Sequence, residues 1–295
     1  MRVFLTGATG FIGSAIIPEL INAGHQVLGL TRSDAGAESL IAAGAEVHRG
    51  SLEDLDSLRS GAAAADGVIH CAFDHDFTDF VLVCEKDKHA IAALGDALVG
   101  SDRPLVITSG TGMGNALPGE PATEDHFNPD HPNPRKGSEI AGAAVGDRGV
   151  NVSVVRLPQV HDPFKQGLIT YLVKVAREKG SSAYIGDGLN RWPAAHVLDV
   201  ARLYRLALEK AEAGSRYHAV AEEGVPVRPI AEILGRALKL PVVSISPEEA
   251  PAHFGWMGAF AGFDMPASSA ITREKLGWHP TGPTLIADLE EMRFV

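Results

Sequence analysis

Cysteine is nearly missing from this chain: Cys71 and Cys84 are the only two among 295 residues. Neither stands in a Cys-x-x-Cys or metal-like spacing, which removes a disulfide-stapled scaffold and a thiolate metal site from consideration. Two free thiols in a reducing cytoplasm is the simplest expectation. Long apolar runs are missing as well. The longest extend only a few residues, far short of the ~20 that a spanning helix requires. Positive charge is in short supply, with 26 Lys and Arg against 37 Asp and Glu and a net charge of −11. That balance excludes nucleic acid or an anionic membrane as the main partner and leaves a small molecule as the expected one. The twelve histidines are scattered and none forms an H-E-x-x-H pattern, so no metal is expected. There are no repeats and no low-complexity tracts.

What remains is ordinary globular composition, 45% hydrophobic and 21% charged, in a chain long enough to bury a full core. Strands are expected at Arg2–Leu5, Gln26–Leu30, Glu46–Arg49, Gly67–Cys71, Leu105–Thr108 and Ser153–Leu157. Most are rich in Val, Ile and Leu without in/out alternation, as in parallel strands covered on both faces. Helices are expected near 12–23, 52–64, 79–99 and 138–147, with Pro18 as a misfit inside the first. Gly24 and Gly149 stand where a helix end favours positive φ. This alternation gives an α/β, doubly wound parallel sheet over residues 1–157. After Leu157, proline and glycine crowd residues 158–167 and 186–193, helices are expected near 197–213 and 229–238, and strands around 216–220 and 242–245. Residues 158–295 therefore read as a smaller, mixed substrate lobe with segments returning to the core.

The strongest feature is Thr6-Gly7-Ala8-Thr9-Gly10-Phe11-Ile12-Gly13. It follows an N-terminal strand and opens an amphipathic helix, so residues 1–5 read as that strand and not as a signal peptide. Gly7 makes the turn, Gly10 lets backbone approach a pyrophosphate, and Gly13 lets helix and strand pack closely. The helix then aims free N–H groups and its positive end at the phosphates. Gly7, Thr9, Gly10, Phe11, Ile12 and Gly13 are thus candidate dinucleotide contacts in a Rossmann-type fold.

The G-x-x-G-x-x-G spacing resembles the extended and atypical branches of the short-chain dehydrogenase/reductase superfamily. So do His70-Cys71-Ala72, Thr108-Ser109-Gly110-Thr111, Arg156-Leu157-Pro158, His196-Val197-Leu198-Asp199 and the terminal Leu276-Gly277-Trp278-His279-Pro280. The resemblance implies an epimerase/dehydratase-like oxidoreductase binding a nicotinamide dinucleotide. It also implies that Ser51 and Leu52 line the adenine pocket, that Cys71, Ala72, Pro158 and Val160 lie along the cofactor, and, by analogy, that the protein can form a homodimer.

At the end of the second strand an NAD site usually carries an acid for the ribose 2′-hydroxyl, whereas an NADP site carries a cation. Here Arg32 and Ser33 suit a 2′-phosphate, which favours NADP(H) over NAD(H), with Asp34 as the complication. The usual Tyr-x-x-x-Lys pair is missing: Val175, Gly188, Leu208 and Ala221 stand four residues beyond Tyr171, Tyr184, Tyr204 and Tyr217. Counting back from Glu139 puts Arg135 at the lysine position, as a ribose contact, and His131 at the tyrosine position, as acid/base; a one-residue shift instead uses Lys136 and places Pro132 at the tyrosine position, where no acid/base work is possible. Ser109 and Thr111, at the carboxyl edge of their strand, are candidates to orient a substrate oxygen, and His161 is a second candidate proton donor. Phe73, Arg191 and Trp192 are candidate substrate contacts, Arg191 for an anion and Trp192 for an apolar wall. The leading expectation is an NADP(H)-dependent oxidoreductase acting on a small ketone, aldehyde or imine. The alternatives are a non-catalytic NADP(H)-binding sensor and a nucleotide-sugar epimerase or dehydratase.

Overall fold

The computed structural model describes residues 1–75, 79–115, 117 and 119–293. The first half alternates strictly: β1 (Arg2–Thr6), α1 (Phe11–Asn22), β2 (Gln26–Thr31), α2 (Asp34–Ala42), β3 (Glu46–Arg49), α3 (Leu55–Ala63), β4 (Gly67–His70), α4 (Phe80–Asp96), β5 (Pro104–Gly110), α5 (Lys136–Gly146) and β6 (Asn151–Leu157). The second half is mixed. It runs β7 (Gln159–His161), α6 (Ile169–Lys179), β8 (Ser182–Ile185), β9 (Arg191–His196), α7 (Val197–Lys210), β10 (Arg216–His218), β11 (Glu222–Pro226), α8 (Val227–Leu238) and β12 (Val242–Ile245). Four short helices close it: α9 (Ala250–Phe254), α10 (Gly258–Ala261), α11 (Ala270–Leu276) and α12 (Leu285–Glu290).

Seven parallel strands form the main sheet in the order β10-β6-β5-β4-β1-β2-β3. The missing alternation in the sequence has its cause here. Successive side chains point to opposite faces and both faces are covered. Val3 and Leu5 of β1 join α1 and α7 residues Ile16, Ile17, Val200 and Leu203, while Phe4 between them packs with Leu58, Ala62, Ile91 and Leu94 of α3 and α4. A separate apolar cluster centres on Trp192, Ile230, Phe254 and Leu285, beside the small sheets β11-β9-β7 and β12-β8.

α1 keeps Pro18 inside its span, and Gly24 and Gly149 both take φ of +85°. The short helix α2 was not anticipated: Gly36 interrupts its stripe, and only Ala37 and Leu40 are buried. The stretch read as a glycine-rich loop before α7 contains the strand β9, despite Pro193. That proline lies where the β11–β9 register shifts between Glu222 and Val225, a place where a missing N–H is tolerated. His196 caps α7, accepting from Leu198 N at 3.3 Å. The buried Asp199 accepts from the backbone N–H groups of Thr281 and Gly282 at 3.0 and 2.7 Å, and its carbonyl accepts from Trp278 Nε1 at 3.0 Å. The C-terminal Leu-Gly-Trp segment is thereby docked on α7. Among the described residues no helix is long and apolar enough to cross a membrane.

Candidate active site

Strand order reverses at β1, which has β2 on one side and β4 on the other, and a crevice opens beyond their carboxyl ends. A cleft of about 1070 Å³ occupies it and continues toward the second apolar cluster. Its floor is the glycine loop. Gly7 has φ +71°, and a Cβ there would stand 2.7 Å from Ala72 N. A Cβ on Gly13 would collide with the carbonyl of Gly7, and one on Gly10 would stand 3.1 Å from that oxygen. The bare backbone is therefore the cradle. No side chain caps the amino end of α1, so its first N–H groups face the cleft with their positive dipole end. These residues fit a dinucleotide pyrophosphate.

Arg32 follows β2 directly, lines the cleft and is exposed, with no acidic partner among the described residues. Asp34 does not compete with it. It sits in the first turn of α2, pairs with Arg49 at 2.5 Å and does not line the cleft. Ser33 is likewise outside the lining, where it caps α2 by accepting from Gly36 N. Ser51 and Leu52 line the same end, together with Glu53 and Lys86, which pair at 2.7 Å. Cys71, Ala72, Phe73, Pro158 and Val160 also line the cleft. Burial pushes the Cys71 thiol up to about 12, so it is a thiol and not a thiolate at neutral pH.

Arg135 reaches the cleft, but its guanidinium is largely committed. Nη1 donates to Asp87 at 2.6 Å and to Ser138, Nη2 donates to the Thr108 carbonyl at 2.9 Å, and the group stacks 4.1 Å from the centre of the Phe73 ring. Asp87 is buried and also accepts from His70 Nε2 at 3.1 Å and from Ser138 at 2.5 Å. Burial pushes the Asp87 carboxyl up, but Arg135, His70 and Ser138 outweigh it and hold the group well below the carboxylate range. His70 Nδ1 meets Thr6 Oγ1 at 2.8 Å, so the network ties β1, β4, α4 and α5 together beneath the crevice.

The two histidines expected to exchange protons stand elsewhere. His131 does not line the cleft, and its Nδ1 accepts from Asn133 N at 3.1 Å, as a turn residue does. His161 is fully buried behind the cleft wall, with Nδ1 on Asp288 at 2.6 Å. Burial lowers its pKa against the pull of Asp288. Arg191 is not available for an anion: it grips Asp264 with Nε at 3.0 Å and Nη2 at 2.8 Å, outside the lining.

Ser109, Thr111 and Trp192 do line the cleft. Thr111 is 6% exposed, and the buried Ser109 hydroxyl has no hydrogen-bond partner among the described residues. Behind this edge the buried Glu139 accepts from Arg156 and Arg216; burial pushes its carboxyl up, but the two guanidinium groups hold it below its usual range. Residues unforeseen from sequence complete the walls. Tyr171 is the one tyrosine of four that lines the cleft among the described residues, and burial raises its phenol pKa. Lys165 lines it without an acidic partner among those residues, its Nζ 6.0 Å from the Phe11 ring at the start of α1. Lys165 lies in the proline- and glycine-dense stretch, where no periodicity marks a face, and Tyr171 lies just after it on α6, a helix that was not anticipated. No group of three or more His, Cys, Asp or Glu able to hold a metal occurs among the described residues.

A model of the NAD dependent epimerase/dehydratase family matches residues 3–221. The chain belongs to that family. It is thus an oxidoreductase-type enzyme of the extended or atypical short-chain kind, built around a nicotinamide dinucleotide site. An uncharacterized protein of Schizosaccharomyces pombe is 48% identical over 290 residues, covering 98% of each chain. One of Saccharomyces cerevisiae is 42% identical over 293 residues, again covering 98% of each. Among solved structures, dTDP-glucose 4,6-dehydratase from Streptomyces venezuelae with NAD bound shares the fold at a TM-score of 0.78 and 20% identity, covering 99% of this chain and 95% of that one.

Proposed function

We propose that this family member is an NADP(H)-dependent reductase of small carbonyl or imine compounds. The observation that carries the reading is Arg32, a cation with no acidic partner among the described residues, at the end of β2 on a cleft floored by an uncapped glycine loop. A planar guanidinium there suits the doubly charged 2′-phosphate, and the acid that would favour an unphosphorylated ribose is held by Arg49. Lys165, near the start of α1, supplies a second positive charge toward the pyrophosphate. When bound, the nicotinamide supplies the hydride in reduction and takes it back in oxidation. The chain orients the acceptor and supplies the proton. Thr111 donates a hydrogen bond to the substrate oxygen, and Tyr171, kept protonated by burial, gives up the proton that balances the added hydride.

Two assays test this. NADPH fluorescence should rise on binding, and NADPH should be consumed with at least one class in a panel of ketones, aldehydes and cyclic imines. Failure to bind NADPH overturns the reading. Binding without turnover across the panel identifies a non-catalytic NADP(H) sensor instead, the reading that the missing Tyr-x-x-x-Lys pair favours.

A further inference from the structure

The outer half of the cleft differs from its floor. Its walls include Leu157, Leu168, Tyr171, Trp192, Phe260 and Met265. Trp192 is 1% exposed and forms part of the second apolar cluster. From Tyr171 a run of edge-on ring contacts leads outward to solvent: Tyr171 to Trp256 at 5.3 Å, Trp256 to Phe260 at 6.2 Å and Phe260 to Phe263 at 6.3 Å. Trp256 and Phe263 are 43% and 55% exposed and stand just outside the cleft lining, behind and beyond Phe260, so the apolar wall continues past the mouth. The backbone under this lip is fixed: Asn190 Nδ2 donates to the carbonyls of Ala261 and Phe263 at 2.9 and 3.1 Å, and Arg191 holds Asp264.

Charge is missing from this half. Of the cleft's cations, Arg32 and Lys86 belong to the β2 end, Arg135 is paired with Asp87, and Lys165 stands near the pyrophosphate cradle. Arg191, at the base of the lip, is neutralised by Asp264. An anionic substrate placed here would lose its hydration without gaining a cation, which is strongly unfavourable.

We infer that the outer cleft is a specificity site for an uncharged organic molecule carrying an aromatic or similarly flat apolar ring, with Phe260 as its selecting residue and Trp256 as the ring that positions Phe260 from behind, and that it rejects carboxylated and nucleotide-linked substrates. This deepens the proposed function and rests on it only for the reducible group.

Equilibrium dialysis of the full-length protein against 2-acetylnaphthalene, pyruvate and UDP-glucose, each with and without NADPH, tests it. 2-Acetylnaphthalene should bind, and neither pyruvate nor UDP-glucose should displace it. Phe260→Ala should weaken it by about tenfold, as expected for losing one wall ring, and Trp256→Ala by about threefold through loss of the ring that backs Phe260, while Trp256→Phe restores most of the affinity. An unchanged NADPH affinity in these variants shows that the fold is intact. Displacement by pyruvate or UDP-glucose, or alanine variants that bind 2-acetylnaphthalene like the parent, would overturn the inference. The two readings fail separately. Aromatic binding without NADPH binding supports this inference and refutes the proposed function, whereas NADPH turnover of pyruvate with no aromatic binding does the reverse.

Discussion

Replacing Asp87 by Asn removes one charge and almost no volume from the buried network beneath the crevice. The carboxylate is 2% exposed and accepts from Arg135 at 2.6 Å, Ser138 at 2.5 Å and His70 at 3.1 Å. An amide can satisfy only part of this donor set, and the guanidinium is left buried with the Thr108 carbonyl as its remaining main-chain acceptor. Removing one partner of a buried pair costs about 3–5 kcal/mol, because the other charge stays behind uncompensated. For a chain of this size that corresponds to a fall in Tm of about 6–20 °C. Thermal unfolding followed by circular dichroism reads it directly. Asp87→Asn combined with Arg135→Gln should fall less than Asp87→Asn alone, since no unpaired cation remains. The pH dependence has a definite sign. The folded pKa of Asp87 lies below its unfolded value of about 3.9, so its contribution is complete above about pH 4 and is lost as the pH falls toward the folded value. The gap between parent and variant should therefore close in acid. A Tm within about 2 °C of the parent at pH 7, where the predicted fall is several-fold larger, would refute this account of the network.

Further outcomes follow from other sites. Gly13→Ala should cripple dinucleotide binding and lower stability, because its methyl group meets the Gly7 carbonyl; a variant with parental NADPH affinity would contradict the close packing of α1 on the loop. Tyr171→Phe should lower kcat by about 100-fold or more while leaving the NADPH dissociation constant unchanged, and parental turnover would remove Tyr171 from the proton step. His218 accepts from Arg156 at 3.2 Å and faces the Ser268 carbonyl at 2.8 Å, and burial with the Arg156 charge lowers its pKa to about 3. Its stabilising effect is complete above the unfolded value of about 6.5 and declines as the pH falls toward about 3, so His218→Gln should flatten the loss of Tm over that window.

The sheet and the cradle were legible because their physics is local. Uninterrupted Val and Ile runs mark strands covered twice, and Gly10 and Gly13 answer to backbone contacts within a few residues of themselves, while Gly7 answers to its own positive φ as well as to the distant Ala72 backbone. The substrate side was not legible in the same way. Arg191 has the chemistry of an anion grip, but Asp264, 73 residues away, occupies it, and His161 has the chemistry of a proton donor, but Asp288 holds its ring. Arg135 lines the cleft, yet its partner Asp87 comes from a helix 48 residues earlier. Such pairings are set by tertiary contacts that spacing does not encode. Phe260 and Met265 reach the cleft from a poorly patterned segment, whereas Tyr171 stands on α6, whose stripe of Ile169, Leu172, Val173 and Ala176 is helical but gives no sign of the cleft beside it. The absence of Tyr-x-x-x-Lys, by contrast, was decided by reading alone.

The central claim is a phosphate-selective dinucleotide site at Arg32, and the most direct measurement is a paired titration of NADPH and NADH on the parent and on Arg32→Ala. Loss of charge-assisted bonds to the 2′-phosphate should weaken NADPH by about 10- to 100-fold and leave NADH within about twofold. Equal losses for the two dinucleotides, or a parent that binds NADH more tightly than NADPH, would contradict the account.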